Sequence, residues 1–406
     1  MNMRQPLQST SPSLEGCLAD LSRIPFLEPE WLSLGYLNGS CHNLMQRTHV
    51  LPVTSGRAAI YLALRALNVG PGSTVLVPSY HCPTMIAPIV ALGARPQFYP
   101  ITASGCVDQN YLDALPPDGV RAIIAAHFFG LPRPMQALRT WCTQRGVALV
   151  EDCAHTLYGT SDGKPVGAWG DFAIGSLTKF LPVTEGGVLV SNHEPVEEIA
   201  LQPRQTKDQV RILADLLELL TCRKGAGLLS APLRGLFLLK KKLRSPKQST
   251  VASTESDIDR PREAWDGFKI DVNFATTRPA HATEWLARHI DLDKVATLRR
   301  NNARQLLDAL SHMQGAHALV DQLPEHAVPY VLPFWVDNPE PVYRRLKAMR
   351  FPVYRWDRLW PDVPSLPKDQ GPLWSRHVFQ LVCHQSQTEQ DIQRMADAFR
   401  QACQQN

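Results

Sequence analysis

The sequence has no stretch of ~18 or more apolar residues free of charge, so a helix spanning a bilayer is excluded. Its opening residues, MNMRQPLQSTSPSLEG, place charge and then Ser, Pro and Gln where a secretion signal needs an apolar core, so no leader is expected. Nine cysteines are present, but they form no CxxC pair and no regular framework. Several lie inside apolar runs, where a free thiol acts as a small hydrophobe. That usage fits a reducing cytoplasm, and no metal is expected. The net charge of +4 is spread over basic residues scattered among acidic ones, which makes no case for nucleic-acid binding. What remains is a 406-residue chain, 44% hydrophobic and 20% charged, able to bury a large core in more than one unit and to act on small molecules.

Three regions are expected. Residues 1–50 show little periodicity and read as an arm that docks on a neighbour. Residues 51–262 form a large domain: βα alternation runs from Leu51 to Asn192, followed by a helical insert and a polar linker. Within the alternation, the strands DFAIGSL and GGVLVSN are separated by too few residues for a crossover helix, so the chain reverses there and the sheet is mixed, mostly parallel. In the insert, residues 226–244, which hold the run LLSAPLRGLFLLKKKLR, combine an apolar stretch with a basic end that could rest weakly on an anionic membrane surface, although packing inside the protein or a dimer is the simpler reading. Residues 263–406 read as a smaller C-terminal α/β domain, opening with one long helical pattern, HATEWLARHIDLDKVATLRRNNARQLLDAL.

The chemistry gathers in the large domain. EDCAHTLYG follows the apolar run GVALV and so puts Asp152 at the carboxyl end of a buried strand, where α/β sheets build their sites. GSLTKFLPVTEGG puts Lys179 after another strand and before a Glu-Gly-Gly turn that permits close backbone approach. TSGRAAIYLALRAL puts Ser55, Gly56 and Arg57 at the start of an apolar helix, whose free N–H groups and dipole attract an anion. Each has an ordinary reading: a capping acid, a surface lysine, a helix-capping serine. Together they supply what pyridoxal 5'-phosphate needs, namely a lysine amine as imine anchor, a carboxylate for the pyridinium nitrogen and donors for the phosphate. Ser176 and Thr178 are further phosphate candidates. His127, in AAHFFG, ends an apolar strand and reads as structural.

These motifs, with GPGSTVLVPSYHCPTMIAPIVALGARPQFYPI, AHFFGLPRPM and, more weakly, NFATTR, resemble the DegT/DnrJ/EryC1/StrS family of sugar aminotransferases, in family order from Thr54 to about Asn192. The resemblance implies a fold-type-I pyridoxal-phosphate transferase, α/β in class, with a seven-stranded sheet. It implies Lys179 as cofactor anchor and proton shuttle, Asp152 as partner of the ring nitrogen, and His155, where the family commonly has glutamine, as a contact to the ring or its phenolic oxygen. A neutral imidazole can donate one hydrogen bond as glutamine does. The family's SGT is SGR here, its ring-stacking aromatic falls at Cys82, and its serine five before the lysine is Ile174. Tyr80 or His81 is therefore expected to supply the stacking face, and Ser176 the phosphate hydroxyl. Asn273 resembles a loop residue that reaches the partner subunit's phosphate. Arg278, Arg355 and His384 are candidates for substrate contact.

The resemblance further implies glutamate as amino donor, a keto-sugar nucleotide as acceptor in polysaccharide or glycan biosynthesis, and a homodimer with shared active sites. Two rivals stand beside it: a pyridoxal-phosphate enzyme of another type, such as a sugar dehydratase, and an inactive scaffold or regulator. Dehydratase relatives replace the anchoring lysine with histidine, so the presence of Lys179 speaks for transamination.

Overall fold

The computed structural model describes residues 16–32, 42–116, 119–193, 195–196, 199–221, 268–361 and 363–404. The expected membrane-contacting stretch 226–244 and the polar linker after it lie outside these residues. Among the described residues no helix is long and apolar enough to cross a membrane.

The large domain is built on a seven-stranded sheet. Its strands are β1 (His49–Val53), β2 (Thr74–Pro78), β3 (Arg95–Tyr99), β4 (Val120–Ala126), β5 (Ala148–Asp152), β8 (Phe172–Ser176) and β9 (Gly187–Ser191), with a small hairpin of β6 (Thr160–Ser161) and β7 (Lys164–Pro165) between β5 and β8. The order is β1-β9-β8-β5-β4-β2-β3. Strands β3, β2, β4, β5 and β8 run parallel, while β9 is antiparallel to both β8 and β1. The reversal expected after Lys179 is thus present, and the sheet is mixed and mostly parallel. Continuous apolar runs such as Val75–Leu76–Val77 and Leu149–Val150 are fully buried, as a sheet covered on both faces requires. One face carries α1 (Gly56–Ala66), buried nearly all round.

The small domain holds an antiparallel sheet of β10 (Ala316–Ala318), β11 (Val331–Val336), β12 (Val353–Arg355) and β13 (Val378–Val382), ordered β10-β11-β13-β12. The long helical pattern before it is two helices, His281–His289 and Leu292–Ala309. Asp291 separates them because its carboxylate accepts the Lys294 N–H and caps the second helix. That second helix joins the domains: Leu292, Val295 and Ala296 pack with Leu177 and Phe180 of the large domain, and Leu306 packs with the small-domain core.

The described residues of the N-terminal arm are 16–32 and 42–50, and the first of these segments lies along its own chain. Leu18 and Trp31 are buried, Arg394 pairs with Asp20 at 2.9 Å, and the Tyr354 phenol donates to the Arg23 carbonyl at 2.9 Å.

The domains also meet at the HFFG loop after β4, where the Tyr330 N–H donates to the Phe129 carbonyl at 2.9 Å. Phe129 holds a left-handed φ of 67°, and Gly130, at φ 88°, lies so close to the Val328 and Tyr330 backbone that a Cβ would collide with it. Gly130→Ala is therefore expected to lower the unfolding free energy by about 1–3 kcal/mol, measured by urea titration.

Candidate active site

Strand ends bring the predicted residues together. Asp152 is the last residue of β5, His155 follows in the next turn, and β8 delivers Ser176 to a 3₁₀ turn, Leu177–Lys179, that ends on the lysine. The start of α1 lies against the same place: a Cβ on Gly56 would sit 3.4 Å from the Ser176 Cβ, and one on Gly187 would meet the Gly56 nitrogen at 2.7 Å. The second glycine of the Glu-Gly-Gly turn is thus required by the approach of α1 itself. Ser55 caps that helix, accepting the Ala58 N–H at 3.1 Å, and the Ser176 and Thr178 hydroxyls are 3.2 Å apart beside it.

The two charge-bearing groups are both desolvated. Burial raises the Asp152 carboxyl above its ordinary range, against the pull of the Ala154 N–H, which it accepts at 2.8 Å, and of nearby Lys179 and His127. Burial lowers the Lys179 amine, opposed by Cys82 and Asp152. The amine meets no hydrogen-bond or ion-pair partner among the described residues. Its nearest rings are Tyr330, with the centroid 5.5 Å away, and Trp356 at 6.0 Å.

His155 is buried between the same rings, 4.8 Å from each. Its Nδ1 accepts the Phe129 N–H at 3.3 Å, which puts the ring proton on Nε2, and burial together with Lys179 holds its pKa well below the ordinary histidine value. The left-handed Phe129 is what aims that N–H.

The other expected contacts are placed differently. Tyr80 is fully buried among Phe128, Phe129, Trp356 and Trp374, and its oxygen accepts from Gln380 at 3.2 Å. His81 stacks on Phe98 at 5.2 Å; its Nδ1 bonds the Pro78 carbonyl and its Nε2 accepts the Trp360 N–H, each at 2.9 Å. Burial pushes it down to about 4. The rings facing Lys179 are instead Tyr330 and Trp356 of the small domain. Arg57 donates to the Lys269 carbonyl at 2.8 Å, so an anion at the helix start would have to draw it away. Arg355 pairs with Glu340 at 2.6 Å and His384 bonds the Ser22 carbonyl at 3.0 Å, while Arg278 and Asn273 are exposed.

Sequence reasoning missed Tyr330, Trp356 and buried Arg299, whose guanidinium donates to the Lys179 carbonyl at 2.9 Å. None belongs to a spaced motif. Trp356 had one usable signal: side chains alternate along a strand, and it follows Arg355 at the end of β12, so the residue facing the site is the neighbour of the one singled out.

His127, Glu151 and Cys153 bring possible ligand atoms within 4.8 Å of one another. Yet the Glu151 oxygens are filled by His127 and three backbone N–H groups, and burial keeps the Cys153 thiol protonated, so the cluster serves the fold.

The mixed seven-stranded sheet with its antiparallel small domain is the fold of aminotransferases such as DesV of S. venezuelae, whose structure, in complex with a ketimine intermediate, superposes with a TM-score of 0.58 at 21% identity over 89% of this chain and 86% of that one. Residues 37–209, under half of the chain, match the DegT/DnrJ/EryC1/StrS aminotransferase family. GDP-perosamine synthase of Vibrio cholerae is 31% identical over 157 residues, which is 38% of this chain and 43% of the relative. The spore coat polysaccharide biosynthesis protein SpsC of Bacillus subtilis is 30% identical over 195 residues, 46% of this chain and 48% of the relative. The matched segment thus spans under half the length of either relative.

A buried lysine with a lowered pKa costs stability wherever it is charged. The penalty is complete below its folded pKa and absent above its higher, unfolded pKa. In the cofactor-free protein, Lys179→Met is therefore expected to melt above wild type at neutral pH, and the gap should close as pH rises through the ordinary lysine range near ~10.4. Thermal melts across pH measure this; a gap independent of pH would contradict it.

Proposed function

We propose that the protein is a pyridoxal 5'-phosphate-dependent aminotransferase that takes its amino group from glutamate and delivers it to a keto-sugar nucleotide for polysaccharide or glycan biosynthesis, working as a homodimer in the cytoplasm. The observation that carries this reading is the pair Lys179 and Asp152: two desolvated ionisable groups of opposite type on neighbouring strand ends, neither in an ion pair among the described residues. A cationic ring donating its N–H to the carboxylate, and an aldehyde with which the amine condenses with loss of water, would relieve both costs. The names of GDP-perosamine synthase and of the spore coat polysaccharide protein support a sugar acceptor.

The residues present fit the cofactor, which supplies, when bound, a ring that stabilises negative charge on the carbon losing a proton. Lys179 would hold it through the amine. Because burial favours the neutral amine, Lys179 is a competent nucleophile and, once released, a base able to move a proton between carbons on one face. Asp152 would keep the ring nitrogen protonated. The His155 Nε2–H is the donor left for the ring's oxygen, since Nδ1 is engaged by Phe129. The α1 N–H groups, with Ser55, Ser176 and Thr178, would bind the phosphate, and Arg57 would add charge if it leaves the Lys269 carbonyl. Tyr330 and Trp356 exclude water from the amine, which strengthens every electrostatic contact there.

Pyridoxal 5'-phosphate added to the purified protein should give a visible absorbance band that Lys179→Ala abolishes and glutamate shifts. Asp152→Asn should keep the band but lower turnover by about 100-fold or more. No lysine-dependent band would move the weight to an inactive scaffold; a band indifferent to every amino donor would point to other pyridoxal-phosphate chemistry.

A further inference from the structure

Arg299 lies within the helix Leu292–Ala309 that joins the two domains and is 0% exposed. A buried guanidinium normally requires a carboxylate. Among the described residues Arg299 has none, and burial lowers its pKa. It donates only to carbonyls: Nη2 to Lys179 at 2.9 Å and Phe180 at 3.4 Å, Nη1 to Tyr330 at 3.2 Å and Pro329 at 3.4 Å. Its carbon lies 4.8 Å from the Phe180 ring centroid.

Packing alone would be served as well by methionine or leucine, at no electrostatic cost. What arginine adds is a rigid planar fork whose edges reach two separate sets of acceptors. Here one edge takes the carbonyls at the end of the lysine turn, which a short helix leaves without partners. The other takes the carbonyls leading into β11, where Tyr330 presents its ring to the Lys179 amine at 5.5 Å. A single guanidinium thus spans from the peptide that carries the amine to the strand that carries the aromatic wall. Gln385 also ties the turn, donating to the Phe180 carbonyl at 2.7 Å, but leaves the Lys179 carbonyl alone.

We propose that Arg299 is a positioning residue for Lys179, fixing the lysine peptide against Tyr330 so that the amine is held in its desolvated place. The role in turnover rests on Lys179 being the reactive amine of the proposed aminotransferase; the positioning itself does not.

The test compares full-length wild type, Arg299→Lys, Arg299→Gln and Gln385→Leu. In cofactor-free protein, reductive methylation of Lys179 by formaldehyde and cyanoborohydride is followed against pH by peptide mass. Separately, pyridoxal 5'-phosphate is trapped on Lys179 with the same reductant and the rate measured. Both Arg299 variants should move the methylation midpoint up towards the ordinary lysine value and slow trapping by about 10- to 100-fold, while Gln385→Leu stays near wild type. Should Arg299→Gln not fold, Arg299→Lys carries the test, because it keeps the charge and loses the fork. A lowered melting temperature with unchanged midpoint and trapping rate would make Arg299 merely structural and overturn the proposal, as would Gln385→Leu reproducing the whole effect. If wild type traps no pyridoxal 5'-phosphate, the aminotransferase reading fails, and the methylation profile still decides the positioning.

Discussion

Beneath the carboxyl end of β5, the fully buried Glu151 carboxylate accepts the N–H groups of Gly167, Trp169 and Gly170 at 2.8–3.0 Å and pairs with His127 at 2.9 Å. Burial pushes its pKa up, but His127 and the backbone donors outweigh that and hold it below the ordinary range. These contacts join three pieces of the site's support. His127 follows β4, Glu151 sits in β5, and the turn at 167–170 feeds β8, which runs directly into Lys179. One saturated carboxylate therefore pins three neighbouring strand ends. Because alternate strand residues face opposite ways, fixing Glu151 on one face of β5 also fixes Asp152 on the other. The acid that does no chemistry sets the place of the acid proposed to do it.

The division of labour between the domains follows from this. Groups that carry charge, Asp152 and Lys179, stand on the ends of parallel strands, where the sheet positions them. Groups that desolvate them come largely from the small domain, since Tyr330 precedes β11 and Trp356 follows β12. His155 belongs to the first set by sequence and to the second by contact: its ring packs on Tyr330 and Trp356, while its Nδ1 is held by the strained Phe129 backbone. Strain at Phe129 is compensated where the loop meets Tyr330, so the tautomer of His155 and the seat of the small domain are set by the same few residues.

Six of the sheet's seven strands were legible in the sequence because their signals are local, while β1 (His49–Val53), which starts inside the expected arm, was not. Apolar runs bounded by turns mark the strands, and the few residues between β8 and β9 rule out a crossover, which fixes their antiparallel pairing. Asp152, Lys179 and the start of α1 were legible for the same reason: each lies at the end of a run. The break at Asp291 was not, since a capping aspartate inside an amphipathic pattern looks like any polar position until its carboxylate is seen on the Lys294 N–H. Tyr330 and Trp356 were not legible either. They come from two connections far along the chain whose convergence on Lys179 is a property of domain packing, and no spacing encodes it. Tyr80 and His81 lie beside Cys82 in sequence, but sequence adjacency does not say that Tyr80 turns into an aromatic core and that both His81 nitrogens are taken by backbone.

Where the family that the sequence resembles places an aromatic, this chain has Cys82, and the Tyr330 and Trp356 rings beside the amine belong to the small domain. An aromatic on the large domain would keep a fixed distance from Lys179 because both would ride on one sheet. Rings at 330 and 356 keep that distance only as long as the second domain is held in register with the lysine turn. Apolar burial across the junction does not do this alone, since the hydrophobic effect is non-directional and scales with the area buried. Directional bonds can. The Arg299 guanidinium, bonded at once to the Lys179 and Tyr330 carbonyls, the Gln385 amide on the Phe180 carbonyl and the Tyr330 N–H on Phe129 are directional bonds across the junction at this place. The charge buried without a counterion among the described residues thus stands where the aromatic wall meets the lysine turn and bonds both sides of that junction.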